Sequence, residues 1–188
     1  MDISNTGRTE AARKTSRWRA FLRRFARDGR GSVAIEFTAL AIPFSMLVFA
    51  ILESCISFAA QQLMANVTDD IARQFRTGQL KAADMTEEKL RTLICGRLEI
   101  VVSSGCPGLE VDLKRYDTFA DAAAQRIAFK DGDIDTDGFG VTPGQSMSKN
   151  QLRVFYRWPV MTDFLRKSMS SLKDGKTLHF ATVTWQNE

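Results

Sequence analysis

The 188 residues, 44% of them hydrophobic, suffice for one modest domain with attachments, and the low proline and aromatic content gives no sign of repeats or long disorder. The formal charge of +4 is unevenly spread: residues 1–31 hold nine Lys/Arg against three Asp/Glu, whereas residues 61–188 balance at 17 against 17. The basicity belongs to a tail, so the near-neutral remainder is not read as a nucleic-acid binder.

Within that tail, Trp18, Phe21, Leu22 and Phe25 recur at i, i+3, i+4 and i+7 among Arg17, Arg19, Arg23, Arg24 and Arg27. The pattern fits a basic amphipathic helix on an anionic leaflet. A disordered leader that only fixes topology is the alternative. An apolar stretch follows from Ser32 to Ala60, with 16 uncharged residues between Phe37 and Leu52. A helix rises about 1.5 Å per residue, so a hydrocarbon core of roughly 30 Å needs about 20 residues. Val33 to Leu52 supplies them, with Glu36 and Glu53 near the two faces. We therefore expect a single membrane span rather than a buried core helix. The basic flank predicts a cytoplasmic N-terminus and a C-terminal part outside the inner membrane. A cleaved secretory signal fits poorly, because its apolar region should run only about 7–15 residues.

Glu36 stands four residues into this apolar run, where an ionised carboxylate needs water or a partner. It follows Gly31 and the sequence Ser32-Val33-Ala34-Ile35. The run RGSVAIEF, continued by ALAIPFSMLVFAILES, resembles the start of a TadE-like protein of the tight-adherence (Tad) pilus system, related to type IVb prepilins. The resemblance extends over residues 29–65, with Glu53 and Gln61-Gln62, and returns at Tyr156-Arg157-Trp158-Pro159 and at Thr182–Glu188. It implies that a prepilin peptidase cuts between Gly31 and Ser32, which makes Glu36 the fifth mature residue. A carboxylate at that place can pair with the new α-amine of a neighbouring subunit and set axial register. Pro43 removes a backbone hydrogen bond, a defect that membrane helices tolerate when neighbours cover it.

Beyond the span, Leu63 or Met64, Val67, Ile71 and Phe75 keep helical spacing, so the helix is expected to continue to about Arg76 before Gly78 stops it. Thr86, Glu87-Glu88 and Lys89 open a second helix with Leu90, Leu93, Ile94, Leu98 and Val101 inward, ending before Ser103. Strands are predicted at Leu109–Leu113, Gln125–Phe129, Leu152–Trp158 and Thr177–Trp185. The expected fold is α+β and pilin-like: a long N-terminal helix laid on a small domain with a second helix and a three- or four-stranded antiparallel sheet. Its parts are a cytoplasmic leader (1–31), a transmembrane helix (32–60) and an extracytoplasmic domain (61–188).

An exported Cys95 and Cys106 are expected to form a disulfide. Cys55, at the end of the span, is read as a packing residue, with an intermolecular thiol as the alternative. Asp133, Asp135, Asp137 and Gly138 match positions 1, 3, 5 and 6 of a calcium loop, but position 12 is Gly144 where a glutamate belongs. We read a solvated acidic turn, with weak calcium binding as the alternative. His179 is the sole histidine, and neither a phosphate loop nor a nucleophile elbow occurs. No enzyme and no cofactor is expected; a tethered hydrolase would require carboxylates of residues 117–137 to converge in a cleft.

The expectation is thus a minor pilin or assembly component whose partners are membrane lipid, other pilin-like subunits, the assembly platform and a prepilin peptidase. Its main rival is an uncleaved single-span protein whose outer domain binds a ligand or an envelope partner.

Overall fold

The computed structural model describes residues 32–162, 166–167 and 169–188. The basic leader and Gly31 lie outside the described residues. Internal packing divides the chain into residues 1–49 and 50–188. The first unit contributes, among the described residues, the opening of helix α1 (Ser32–Arg76), which includes Pro43. The Thr38 hydroxyl donates back to the Ala34 carbonyl at 2.8 Å, so this polar group is satisfied within the helix.

In the second unit α1 carries a buried stripe of Ala60, Met64, Val67, Ile71, Ala72 and Phe75, three or four residues apart for the most part. The helix stops as the sequence suggests. Gly78 takes a φ of 71°, and its amide donates to the Phe75 carbonyl. A 3-10 turn (Ala82–Asp84) leads to α2 (Glu87–Leu98), where the Thr86 hydroxyl accepts the Lys89 amide at 3.3 Å. Leu90, Ile94, Cys95 and Leu98 are buried, and Val101, in the turn after α2, packs against the same core. Asp70 of α1 accepts Arg97 of α2, and that bond above all holds the Asp70 carboxyl below the ordinary carboxylate range.

The Cys95–Cys106 disulfide ties α2 to the loop after it, with Cα atoms 5.7 Å apart. An eleven-residue closed loop is worth about 2–3 kcal/mol on the chain-entropy estimate. The double replacement Cys95→Ser/Cys106→Ser should lower unfolding stability by that amount, read as a shifted urea midpoint in detergent. The parent under strong reductant should show the same shift, and the variant should show none.

The main sheet has the order β4-β1-β5-β6, from β1 (Leu109–Tyr116), β4 (Val141–Thr142), β5 (Lys149–Pro159) and β6 (Lys176–Gln186). β1 and β6 run antiparallel to β5, with Val111 opposite Val154 and Leu152 opposite Val183. β4, however, pairs with β1 in parallel, Leu113 beside Val141. The sheet is therefore mixed, not antiparallel as expected. A parallel pair needs a long crossover, and residues 117–140 provide one. They hold the short helix α3 (Phe119–Ala123) and a hairpin of β2 (Phe129–Lys130) and β3 (Asp133–Ile134). The strand predicted at Gln125–Phe129 is absent save for Phe129, and Gln125–Ala128 is irregular.

Alternation explains which residues face which layer. Leu109, Val111 and Leu113, with Leu152, Val154, Tyr156 and Trp158, join the cluster that holds the α1 and α2 stripes. The Phe75 and Trp185 rings stack at 5.9 Å. The opposite face is covered too: Phe139 stacks on Phe155 at 5.3 Å, and Gln151 donates to the Ala122 carbonyl of α3. The β1–β4 connection thus forms the third layer of an α+β domain.

Candidate functional site

Most side chains of the apolar run are uncovered. Val33, Ile35, Phe37, Leu40, Ile42, Phe44, and on through Phe49, Leu52 and Phe58, are exposed on α1, which is long and apolar enough to cross a membrane. In water such a surface would be strongly unfavourable, at about 25 cal/mol per Å² of apolar area; in lipid it is not. Glu36 is exposed on the same helix, one turn beyond Ser32. Ala34 and Ala39 are exposed and Ala41 half-buried, small residues that let another backbone approach. Cys55, expected to pack, is instead an exposed free thiol.

At the C-terminal end of the run the helix grips the sheet domain. The Glu53 carboxylate accepts the backbone N–H groups of Met161 and Thr162 and the Thr162 hydroxyl. One turn on, Ser57 Oγ lies 3.0 Å from His179 Nε2 of β6, and Gln61 donates to the Phe180 carbonyl at 2.7 Å. These polar anchors were invisible in the sequence, since nothing local relates residues more than a hundred positions apart. Only the position of Glu53 at the end of the apolar run hinted at a role.

His179 also stacks on Trp158, ring centroids 5.3 Å apart. Burial pushes its pKa down to about 4. The folded chain therefore holds a neutral imidazole that the unfolded chain would protonate near 6.5. Its contribution is complete above that value and is lost as pH falls toward 4. Between pH 7.5 and 5 the parent should lose about 2 kcal/mol more than His179→Gln, read from urea midpoints by tryptophan fluorescence.

The three aspartates of the calcium-like pattern do not converge. Both Asp133 oxygens accept Arg157 Nε at 3.0 Å; burial raises this carboxyl, but Arg157 and the Ile134 amide outweigh it and hold it low. Asp135 accepts the Asp137 amide, while Asp137 pairs with Lys130 at 3.2 Å. Among the described residues no group of three or more His, Cys, Asp or Glu is placed to hold a metal. Asp131-Gly132 is instead a two-residue hairpin turn, with φ values of 53° and 80°. Asp121, also within 117–137, closes a capping box with Thr118 at the start of α3.

A long, uncovered apolar helix running into a buried stripe, with a three-layer α+β domain on its C-terminal half, defines a class: a domain carried on a membrane-type helix. The family model described as TadE-like protein matches residues 31–73, which is nearly the whole of α1. Over this segment the chain is similar to that family. The resemblance read at residues 156–159 and 182–188 lies outside the match. No curated protein and no solved structure matches the chain.

Proposed function

We propose that the protein is a minor pilin or assembly component of a Tad-type pilus. It is inserted through Val33–Leu52 with its basic tail in the cytoplasm, then cut between Gly31 and Ser32 by a prepilin peptidase. Helix packing then brings it into, or seeds, a filament. The observation that carries this reading is the coincidence of the TadE-like match with an apolar helix whose side chains are uncovered from its first turns. In the mature chain Glu36 would lie one helical turn from a new α-amine, close enough for a neighbouring subunit's amine to share its charge. Neither ion then bears its desolvation alone, and the pairing fixes axial register. Ala34, Ala39 and Ala41 would admit the neighbouring helix, and the domain would supply partner surface outside the inner membrane.

The deciding experiment is N-terminal sequencing of the membrane-extracted protein from cells with and without prepilin peptidase. A peptidase-dependent start at Ser32 supports the proposal. An intact tail in both strains overturns it in favour of an uncleaved single-span protein with a binding domain.

A further inference from the structure

Glu53 ends the uncharged run and also holds the connection between β5 and β6, through Met161 and Thr162. One residue on, Ser54 Oγ lies 3.7 Å from Met169 Sδ. The connection is thus pinned at two points to the level of α1 where charge first reappears. It is also basic: residues 160–176 contain Arg166, Lys167, Lys173 and Lys176 against Asp163 and Asp174. Arg166, Lys167 and Lys173 line an open cleft of about 490 Å³ with Ser170, Asp174 and Gly175. The Arg166 stem runs over Gly175, where a Cβ would clash with Arg166 Cδ, so the glycine makes room for the arginine. The side chain of Met161, whose amide Glu53 holds, is 80% exposed.

The same unit contains a ruler. The Glu188 amide donates to the Arg76 carbonyl and the Met147 amide to the Asn187 carbonyl, each at 3.2 Å. Met147 therefore marks the other end of α1, about 35 Å along the helix from Glu53. It is exposed as Met161 is, but nothing pins it near the apolar run.

We propose that the β5–β6 connection is a membrane-surface contact. Arg166, Lys167 and Lys173 take the phosphates of anionic lipid headgroups while Met161 enters the boundary below them, so that the domain rests on its leaflet. This rests on the reading of α1 as a span, which the test checks separately. The full chain with Cys55→Ser would carry an environment-sensitive fluorophore on a single cysteine: Met161→Cys, Met147→Cys or Leu47→Cys. Met161 contributes its backbone to Glu53, so the substitution keeps the anchor. Each protein is placed in bilayers of phosphatidylcholine, with or without phosphatidylglycerol, and quenched by lipids spin-labelled at the headgroup or at mid-chain.

The label at 161 should be quenched from the headgroup at least about twofold more than the label at 147, with the gap widened by phosphatidylglycerol and narrowed by Lys167→Gln/Lys173→Gln. Equal quenching at 161 and 147, with mid-chain quenching retained at 47, overturns the contact and leaves the span intact. A gap that ignores both phosphatidylglycerol and the lysine substitutions overturns the recognition of lipid phosphate. Loss of mid-chain quenching at 47 overturns the span reading, and this inference with it.

Discussion

Replacing Asp112 by Ala is expected to destabilise the domain by about 3–5 kcal/mol, a large share of the 5–15 kcal/mol typical of such folds. Asp112 is only 1% exposed at its side chain and lies opposite Arg153 across β1 and β5. One oxygen accepts Arg153 Nε at 3.0 Å and Nη2 at 2.6 Å. The other accepts the Gly140 amide at 3.1 Å and faces Lys114 Nζ at 3.3 Å. The Arg153 guanidinium lies beside the stacked Phe139 and Phe155 rings, 5.4 and 5.9 Å from their centroids, and its side chain is only 9% exposed, so little water can replace its partner when that is removed. The penalty is that of a stranded cation, not of a lost bond. The double variant Asp112→Ala/Arg153→Met should therefore recover most of the stability. Urea unfolding of the two variants in detergent decides it; equal losses would show that the pair matters only through its packing.

The second large effect concerns assembly. On the proposed function, Glu36→Ala is expected to leave membrane insertion and cleavage after Gly31 intact while reducing incorporation into sheared filaments by more than tenfold. Removing one member of a desolvated ion pair costs several kcal/mol, and the subunit left without its acceptor carries an α-amine in an apolar setting. Glu36→Gln keeps the side chain's size and hydrogen-bonding capacity but not its charge, so it should fall nearer to Ala than to the parent. Quantifying the protein in sheared and membrane fractions tests this. An undiminished sheared fraction would remove Glu36 from assembly, whatever the outcome of N-terminal sequencing.

The parts legible in the sequence were those governed by local periodicity or by strong breakers. The α1 stripe, the Gly78 stop, the Thr86 cap and the two long strands follow from the spacing of apolar residues and from single side chains. The β1–β4 crossover was missed because residues 117–140 carry too little repeated pattern to declare themselves as a layer. β4 is only two residues long and owes its strand to β1. Burial of both sheet faces was not foreseen either: Asp112, Gln151 and Arg153, polar residues of the two central strands, are all buried. The acidic segment was read as a solvated turn, and Asp131-Gly132 is a turn; its place as the hairpin between β2 and β3 was not foreseen, because strands of two residues leave no alternation to read. The anchors of Glu53 and His179 required the tertiary structure outright, since their partners are supplied by remote chain.

The stack of Phe75 on Trp185 has a consequence for the order of events at the membrane. The apolar stripe on α1 is synthesised early, but its cover includes Ala181 and Trp185 of β6, which also completes the pairing of β5. If the helix is held in the bilayer while the rest is threaded outward, the stripe stays partly uncovered until β6 has crossed. The domain then closes in one late step, and a chain stalled before β6 presents a greasy helix to whatever waits outside. Quality control acting on that exposed stripe would need nothing beyond the fold to tell a closed domain from an open one.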